Sequence, residues 1–559
     1  MTSSNMKKLI FILIIQVCLM PALLYAQPKW AGKATKSVFT LKTFKQDGSL
    51  LASGNGFFIG NEGEAVSNFS PFVGASRAVI IDASGKEMKV ECITGANDLY
   101  DVARFRVSGK VSGLPVATTT TTGSTAWVLP YSANKSARSQ QGTIEKIDKA
   151  GDYDYYTLAM QMPENTVGCP LLNENGEAIG IMQLSVGDSN KSYAIAVQFA
   201  LGLKITGLSF NEQVYKSTSV KKDLPNELEQ AIVALYVSGP QMTKESYREM
   251  IDDFIRKFPT AADGYTYRAQ EEVNDNLFDD ADRDMQQAVK MASKKDEAHF
   301  SFAKLIFQKE IFKNDRTYSG WTLDKAIAEA DEAYRINPLS SYLELKGRIL
   351  FAQKKYAEAY DVYQRLTTSD LNASEMFFNA SRCKEMLGDH TAQLALLDST
   401  INRTSRPFTR ETAAYLFIRA QAYEGQEKYR QAISDYNEYE QVMRSSLNGQ
   451  FYYIRSQAEV KARLFQQALN DLSKAIELEP RNTLFLAEKA SLEVRVNLSD
   501  AAIETAQKLI VIDSQLSDGY LFLGIAQCQK GQKTEGLRNL QKAKELGNPQ
   551  ADKLITKYQ

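Results

Sequence analysis

Small residues recur through the second half of this chain at a nearly constant step. Ala281, Ala326, Ala359, Ala392, Ala432, Ala468, Ala502 and Gly536 are separated by 45, 33, 33, 40, 36, 34 and 34 residues. Seven positions later stand Ala288, Ala333, Leu366, Ser399, Tyr439, Ala475, Leu509 and Ala543, and twelve positions earlier Ala269, Gly347, Ala380, Ala420, Ser456, Ala490 and Gly524. A step near 34 residues is the length of one helix–turn–helix unit. A small side chain at a fixed place in each helix lets two backbones approach. Such a unit cannot bury its apolar face alone, so neighbours must stack, and the chain is committed to an extended helical array.

Other residues keep the same register. Tyr356, Tyr429 and Phe465 precede their alanines by three positions, and Pro338 and Pro480 follow theirs by twelve, where proline ends a helix. The pattern resembles the tetratricopeptide repeat over about Met242 to Gly547. That resemblance implies about eight hairpins and a groove that binds protein or peptide. The two long steps locate insertions. Ala303 lies 22 residues after Ala281, so the surplus of the 45-residue step falls near Lys309–Leu323. Extra loops on an array either touch a partner or fold back to cap their own hairpin; Tyr318 and Trp321 in this insert are the candidate partner contacts. The 40-residue step puts further residues around Thr404–Thr409.

From about Val38 to Leu208 the chain changes character. Val38-Phe39-Thr40-Leu41-Lys42, Gly56-Phe57-Phe58-Ile59, Arg77-Ala78-Val79-Ile80-Ile81 and Thr125-Ala126-Trp127-Val128-Leu129 read as short strands between Gly, Asn, Asp and Ser turns. This is the pattern of an all-β sandwich or barrel. The β-branched run Thr118–Thr122 is expected to be a strand or its edge.

Seven pieces of this segment, in order, resemble the HtrA-type trypsin-like proteases. They are Gly54-Asn55-Gly56-Phe57-Phe58-Ile59 leading through Gly63 to Val66-Ser67-Asn68; Asp101-Val102-Ala103; Leu114-Pro115-Val116-Ala117; Gly142-Thr143-Ile144; Gly168-Cys169-Pro170-Leu171-Leu172-Asn173; Gly176-Glu177-Ala178-Ile179-Gly180-Ile181; and Tyr193-Ala194-Ile195. The resemblance implies a chymotrypsin-like double barrel. Its catalytic positions are where the chain departs. Ser70 stands where the family has histidine, and Asp101 is kept. The nucleophile position holds Val167 when aligned from Gly168-Cys169-Pro170, or Thr166 when aligned from Pro163 with one residue inserted. The two histidines, His299 and His390, both lie in the helical half. A serine nucleophile needs an imidazole to take its proton and return it to the leaving amine, so no catalytic residue is expected in the barrel. Asp101 is expected to cap local backbone or pair with a hydroxyl such as that of Ser70. Cys169 is expected to be a buried small residue rather than a nucleophile, and a Cys92–Cys169 bridge is left open by the sequence.

Residues 1–26 have the layout of a secretory signal. Lys7 and Lys8 precede an apolar core from Leu9 to Met20, and Pro21–Ala26 form a small-residue exit. Removing them leaves 64 basic against 67 acidic residues, a formal charge of −3, which argues against nucleic acid as a partner. Four cysteines in so long an exported chain make neither a disulfide framework nor a metal-spaced set, and no nucleotide fingerprint appears. No cofactor or metal is expected, and no membrane span after the signal.

The expected organisation is a signal at 1–26, a degenerate trypsin-like barrel domain at 27–210, a linker and leading helix at 211–241, repeats at 242–547 and a capping helix at 548–559. The expected function is an exported scaffold without catalysis, periplasmic, envelope-associated or secreted, that binds protein or peptide through the repeats. The competing expectation is a divergent trypsin-like endopeptidase whose repeats present substrate.

Overall fold

The computed structural model describes residues 27–133, 138–185, 187, 190–312 and 317–559. The signal segment therefore lies outside the described residues. The chain divides into two compact units, one ending at Arg268 and the other running from Ala269 to Gln559.

The first unit is built on twelve strands: β1 (Val38–Phe44), β2 (Leu50–Phe58), β3 (Glu64–Ser67), β4 (Arg77–Ile81), β5 (Glu87–Asn97), β6 (Val102–Val107), β7 (Thr125–Val128), β8 (Gln140–Ala150), β9 (Tyr153–Ala159), β10 (Pro170–Leu172), β11 (Ala178–Gln183) and β12 (Lys191–Ala196). They close into two antiparallel barrels, β1-β2-β3-β6-β5-β4 and β10-β11-β12-β9-β8-β7. This is the double-barrel fold expected from the sequence. Closure leaves no unpaired edge, which short alternating strands require. In β1, Thr40 faces Asn55 of β2 on one side and Ile81 of β4 on the other. Phe39, Phe58, Phe72 and Phe105 fill the first barrel, with Phe39 4.8 Å from Phe58 and Phe72 5.4 Å from Phe105 between ring centroids. Val128, Ile144, Leu158, Leu171, Ile181 and Ile195 fill the second.

Two expectations within this unit are corrected. Thr118–Thr122 is not a strand but a bend followed by a turn; its neighbour Val116 makes one isolated bridge to Ala178. Residues 211–226 are not a linker. Val214, Tyr215 and Val220 are buried in the core of the first barrel. The backbone of this strap is bonded to it as well: Ile93 N–H donates to the Lys221 carbonyl (2.8 Å), Asp223 N–H to that of Ile93 (2.8 Å), and Gly74 N–H to that of Ser217 (2.7 Å). Helices Leu228–Ser238 and Lys244–Lys257 follow and share a core of Ala231, Leu235, Tyr247, Ile251 and Phe254.

From Ala262 the chain runs as eight successive helix pairs, from Ala262–Asn274 and Phe278–Met291 to Ser517–Gln529 and Lys533–Glu545, before a last helix Ala551–Tyr558. The periodic small residues Ala281, Ala326, Ala359, Ala432, Ala468 and Ala502 are wholly buried. The closest approach is in the last pair, where a Cβ on Gly524 would lie 2.8 Å from the Gly536 carbonyl oxygen. Only glycine fits there. Pro338 and Pro480 each follow a helix that ends two residues earlier, at Ile336 and Leu478. Among the described residues no helix is long and apolar enough to cross a membrane.

Candidate functional site

β3 carries the chain to Asn68 and the buried Phe69, and a tight turn at Ser70–Phe72 follows. Asp101 precedes β6 in a left-handed conformation, φ 47°, which a short polar side chain tolerates. The structure brings Ser70 and Asp101 together. Ser70 N–H donates to Asp101 Oδ1 at 2.5 Å and Ser70 Oγ to Oδ2 at 3.1 Å, while Asn68 Nδ2 donates to Ser70 Oγ at 2.9 Å. The Asp101 carbonyl accepts from Phe69 N–H at 3.2 Å. Both carboxylate oxygens are thus engaged in holding the Ser70 turn.

The loop before β10 lies against the same part of the first barrel. Asn55 Nδ2 donates to the Asn165 carbonyl at 2.8 Å. Gly168 has φ +81°, and a Cβ there would meet the Asn55 carbonyl oxygen at 2.2 Å and Asn68 Oδ1 at 3.0 Å. Glycine is therefore required for the loop to close on the barrel. Thr166 is buried and its hydroxyl donates to the Pro163 carbonyl at 2.6 Å. Val167 beside it is half-buried hydrocarbon.

The thiols offer no nucleophile. Cys169 is fully buried, and burial pushes its pKa up to about 12. Burial likewise raises Cys92 to about 11, against the opposing charge of Arg106. Both are free, Cys92 in β5 of the first barrel and Cys169 just before β10 of the second, so the bridge left open by the sequence is not formed. The histidines belong to the second unit, His299 Nδ1 lying 2.6 Å from Glu329 Oε2 and His390 Nδ1 3.3 Å from Gln393 Oε1. Among the described residues no group of three His, Cys, Asp or Glu side chains is placed to hold a metal ion.

Of the two roles open to the insert, Trp321 takes that of a cap on its own hairpin rather than a partner contact: it is buried at 1% exposure. Its ring packs 5.8 Å from Phe302 and 6.4 Å from Phe278, and its indole N–H donates to Asp282 Oδ1 at 2.6 Å, an oxygen that Lys325 Nζ also approaches at 3.1 Å. The large apolar ring caps its own hairpin because the helices beside it offer both a pocket and an acceptor. Tyr318, half-buried, meets it edge-to-face with ring centroids 6.0 Å apart. Trp321→Phe should cost about 1–2 kcal/mol in thermal unfolding by removing the buried hydrogen bond; an unchanged midpoint would show that the indole contributes packing alone.

The array also holds a motif that the sequence reading missed. Arg419 and Arg455 stand immediately before the small residues Ala420 and Ser456, and Asp435 and Asp471 three positions after Ala432 and Ala468. In the structure each arginine forks onto its aspartate, Arg419 to Asp435 at 2.8 and 2.8 Å and Arg455 to Asp471 at 2.7 and 2.9 Å. A charge recurring at a fixed offset from the small residues was the available signal.

Residues 54–181 match the trypsin-like peptidase domain family. The solved structures similar to part of the chain include two of a mycobacterial protein. One is the active form of the Rv3671c protease from M. tuberculosis, 20% identical with a TM-score of 0.28, covering 33% of this chain and 85% of that one. The other is a mutant of Rv3671c from M. tuberculosis H37Rv in an inactive form, 20% identical with a TM-score of 0.27, covering 33% of this chain and 91% of that one. No curated protein matches the chain. The match to the trypsin-like peptidase domain thus falls on the two closed six-stranded barrels, which are followed along the chain by an all-helical region consistent with repeats.

Proposed function

We propose that this protein is an exported scaffold whose peptidase domain has no peptidase activity and whose helical array binds protein or peptide partners. The observation that carries the proposal is the committed Ser70–Asp101 pair in a domain without histidine. With Ser70 in the base position, Val167 in the nucleophile position and the Thr166 hydroxyl given to a carbonyl, no side chain is left to pass a proton to a leaving amine. The array supplies the recognition surface. Phe307, Arg348, Phe351, Tyr356 and Arg382 line a cavity of about 730 Å³ there, with Arg348 5.5 Å above the Phe307 ring and Arg382 5.0 Å above Phe351. Arg348, Lys354 and Arg382 outnumber Glu344 and Glu375 in the lining, and cations beside aromatic faces suit a peptide that carries aromatic and acidic groups. The signal layout of residues 1–26 supports an envelope or extracellular location.

The test has two arms. Protein purified from residue 27 onward should neither cleave unfolded casein nor take up a fluorophosphonate label, and labelling abolished by Thr166→Ala or Cys169→Ala would overturn the loss of catalysis. A partner captured from envelope extract should be released by Arg348→Glu with Arg382→Glu; undiminished capture would move recognition away from this cavity.

A further inference from the structure

The strap that closes the first barrel and the helix pair after it enclose a cavity that the scaffold reading does not use. Its volume is about 510 Å³, within the range of small-molecule sites, roughly 300–1,000 Å³. Phe210, Tyr215, Leu224 and Met250 give it an apolar body. Two polar groups in its wall lack what such groups normally have. Ser238, at the end of helix Leu228–Ser238, is 1% exposed, and its buried hydroxyl has no hydrogen-bond partner among the described residues. Lys222 is half-buried, donates to the Thr218 carbonyl, and meets no carboxylate among the described residues. Of the two acids in the wall, Asp253 pairs with Lys221 and Arg256, and Glu249 is exposed. Three lysines (216, 221 and 222) against two acids (249 and 253) leave the lining one charge positive.

We propose that this cavity is a binding site for a small amphipathic carboxylate, with its acyl chain between Tyr215 and Met250 and its carboxylate paired with Lys222. An ammonium taken from water without a counter-ion is costly, and a bound anion removes that cost. Burial pushes the Lys222 pKa down to about 8, the direction expected of an amine that waits for a negative partner. The unsatisfied Ser238 hydroxyl is a second, neutral donor in the same wall. The site is also firmly built. The backbone on either side of Lys222 is hydrogen-bonded to Ile93 of β5, and the Tyr215 hydroxyl accepts from Ala96 N–H at 3.1 Å. The apolar patch of Phe210, Tyr215, Leu224 and Met250 is bordered by a polar wall that includes Thr218, Ser219, Thr243 and Ser246, a two-sided lining that can orient one end of an amphipathic ligand.

Isothermal titration of the chain purified from residue 27 with sodium octanoate tests this. One saturable site is expected, together with a rise in the thermal midpoint. Lys222→Met should weaken octanoate by at least about tenfold, the loss of a charge-assisted bond, and Lys222→Arg should restore most of it. Octanol and octylamine should bind at least tenfold more weakly than octanoate. Met250→Trp, which fills the cavity, should abolish the heat; if that variant does not fold, the Lys222 pair decides. Absence of any octanoate heat or midpoint shift at millimolar concentration would overturn the site. So would octanol binding as tightly as octanoate, or a Lys222→Met variant that binds like the parent.

Discussion

A chain ended after Phe210 should lose the first barrel as a stable structure, whereas one ended at Arg268 should keep it. The strap contributes Val214, Tyr215 and Val220 to the barrel core at 9%, 4% and 3% exposure. Burying side chains of that size is worth about 1.5–3 kcal/mol each, so the loss of three removes roughly 4.5–9 kcal/mol. A whole domain has a net stability of only about 5–15 kcal/mol. The truncation also strips the partners from Ile93 N–H, Gly74 N–H and Ala96 N–H. Fragment 27–268 should give a β-rich circular dichroism spectrum with a cooperative transition. Fragment 27–210 should melt at least about 10 °C lower or without cooperativity, and fragment 27–226 should recover most of the difference. Equal midpoints for 27–210 and 27–268 would show that the strap is a passenger.

The second large effect belongs to the buried charges of the array. Arg455, 6% exposed, forks onto Asp471, donates to Asn437 Oδ1 at 2.9 Å and to Glu440 Oε2 at 2.6 Å. Glu459, 4% exposed, has one carboxylate oxygen with no hydrogen-bond partner among the described residues. Arg455→Leu would leave Asp471 and Glu440 without their cation and should cost about 3–5 kcal/mol, the typical result of orphaning a buried charge. Glu459 produces an opposite and pH-dependent effect. Burial first, and the nearby charge of Asp471 second, raise its pKa from 4.5 to about 8. The folded state therefore holds a proton that the unfolded state releases above pH 4.5. That contribution to stability is complete below about pH 4.5 and declines as pH rises to about 8. Glu459→Gln should remove this decline and raise stability at pH 8 by roughly 2–4 kcal/mol. Denaturant midpoints of the two proteins at pH 5 and pH 8 check it: the gap must widen at the higher pH. A gap independent of pH would mean that Glu459 is ionised at both.

The helical array was legible because its signal is local and repeated. Close helix packing admits only Ala, Gly or Ser at fixed places, so the step from Ala432 to Ala468 to Ala502 records the length of one hairpin without reference to anything distant. The barrels were legible for a related reason, since β1 and β4 alternate or saturate with apolar residues between turn formers. The absence of histidine from the first half is a property of composition alone. It limited the chemistry of Ser70, Asp101 and Val167 before their contacts were known.

What the sequence could not decide were the places where a residue's role depends on partners far along the chain. Residues 211–226 carry no periodicity, and Tyr215 acquires its place only through Ala96, 119 positions earlier. The segment therefore looked like a linker and is a strap. Trp321 reads as an exposed insert residue until Phe278, Asp282 and Phe302 are brought around it. Lys222 is one of two adjacent lysines, indistinguishable in sequence, yet Lys221 reaches Asp253 while Lys222 turns into the cavity without a carboxylate. Period and composition fixed which elements form, because their causes lie within a few turns of chain. Burial and the pairing of individual charges were settled only by tertiary structure, because desolvation depends on everything that surrounds a group and not on its neighbours in sequence.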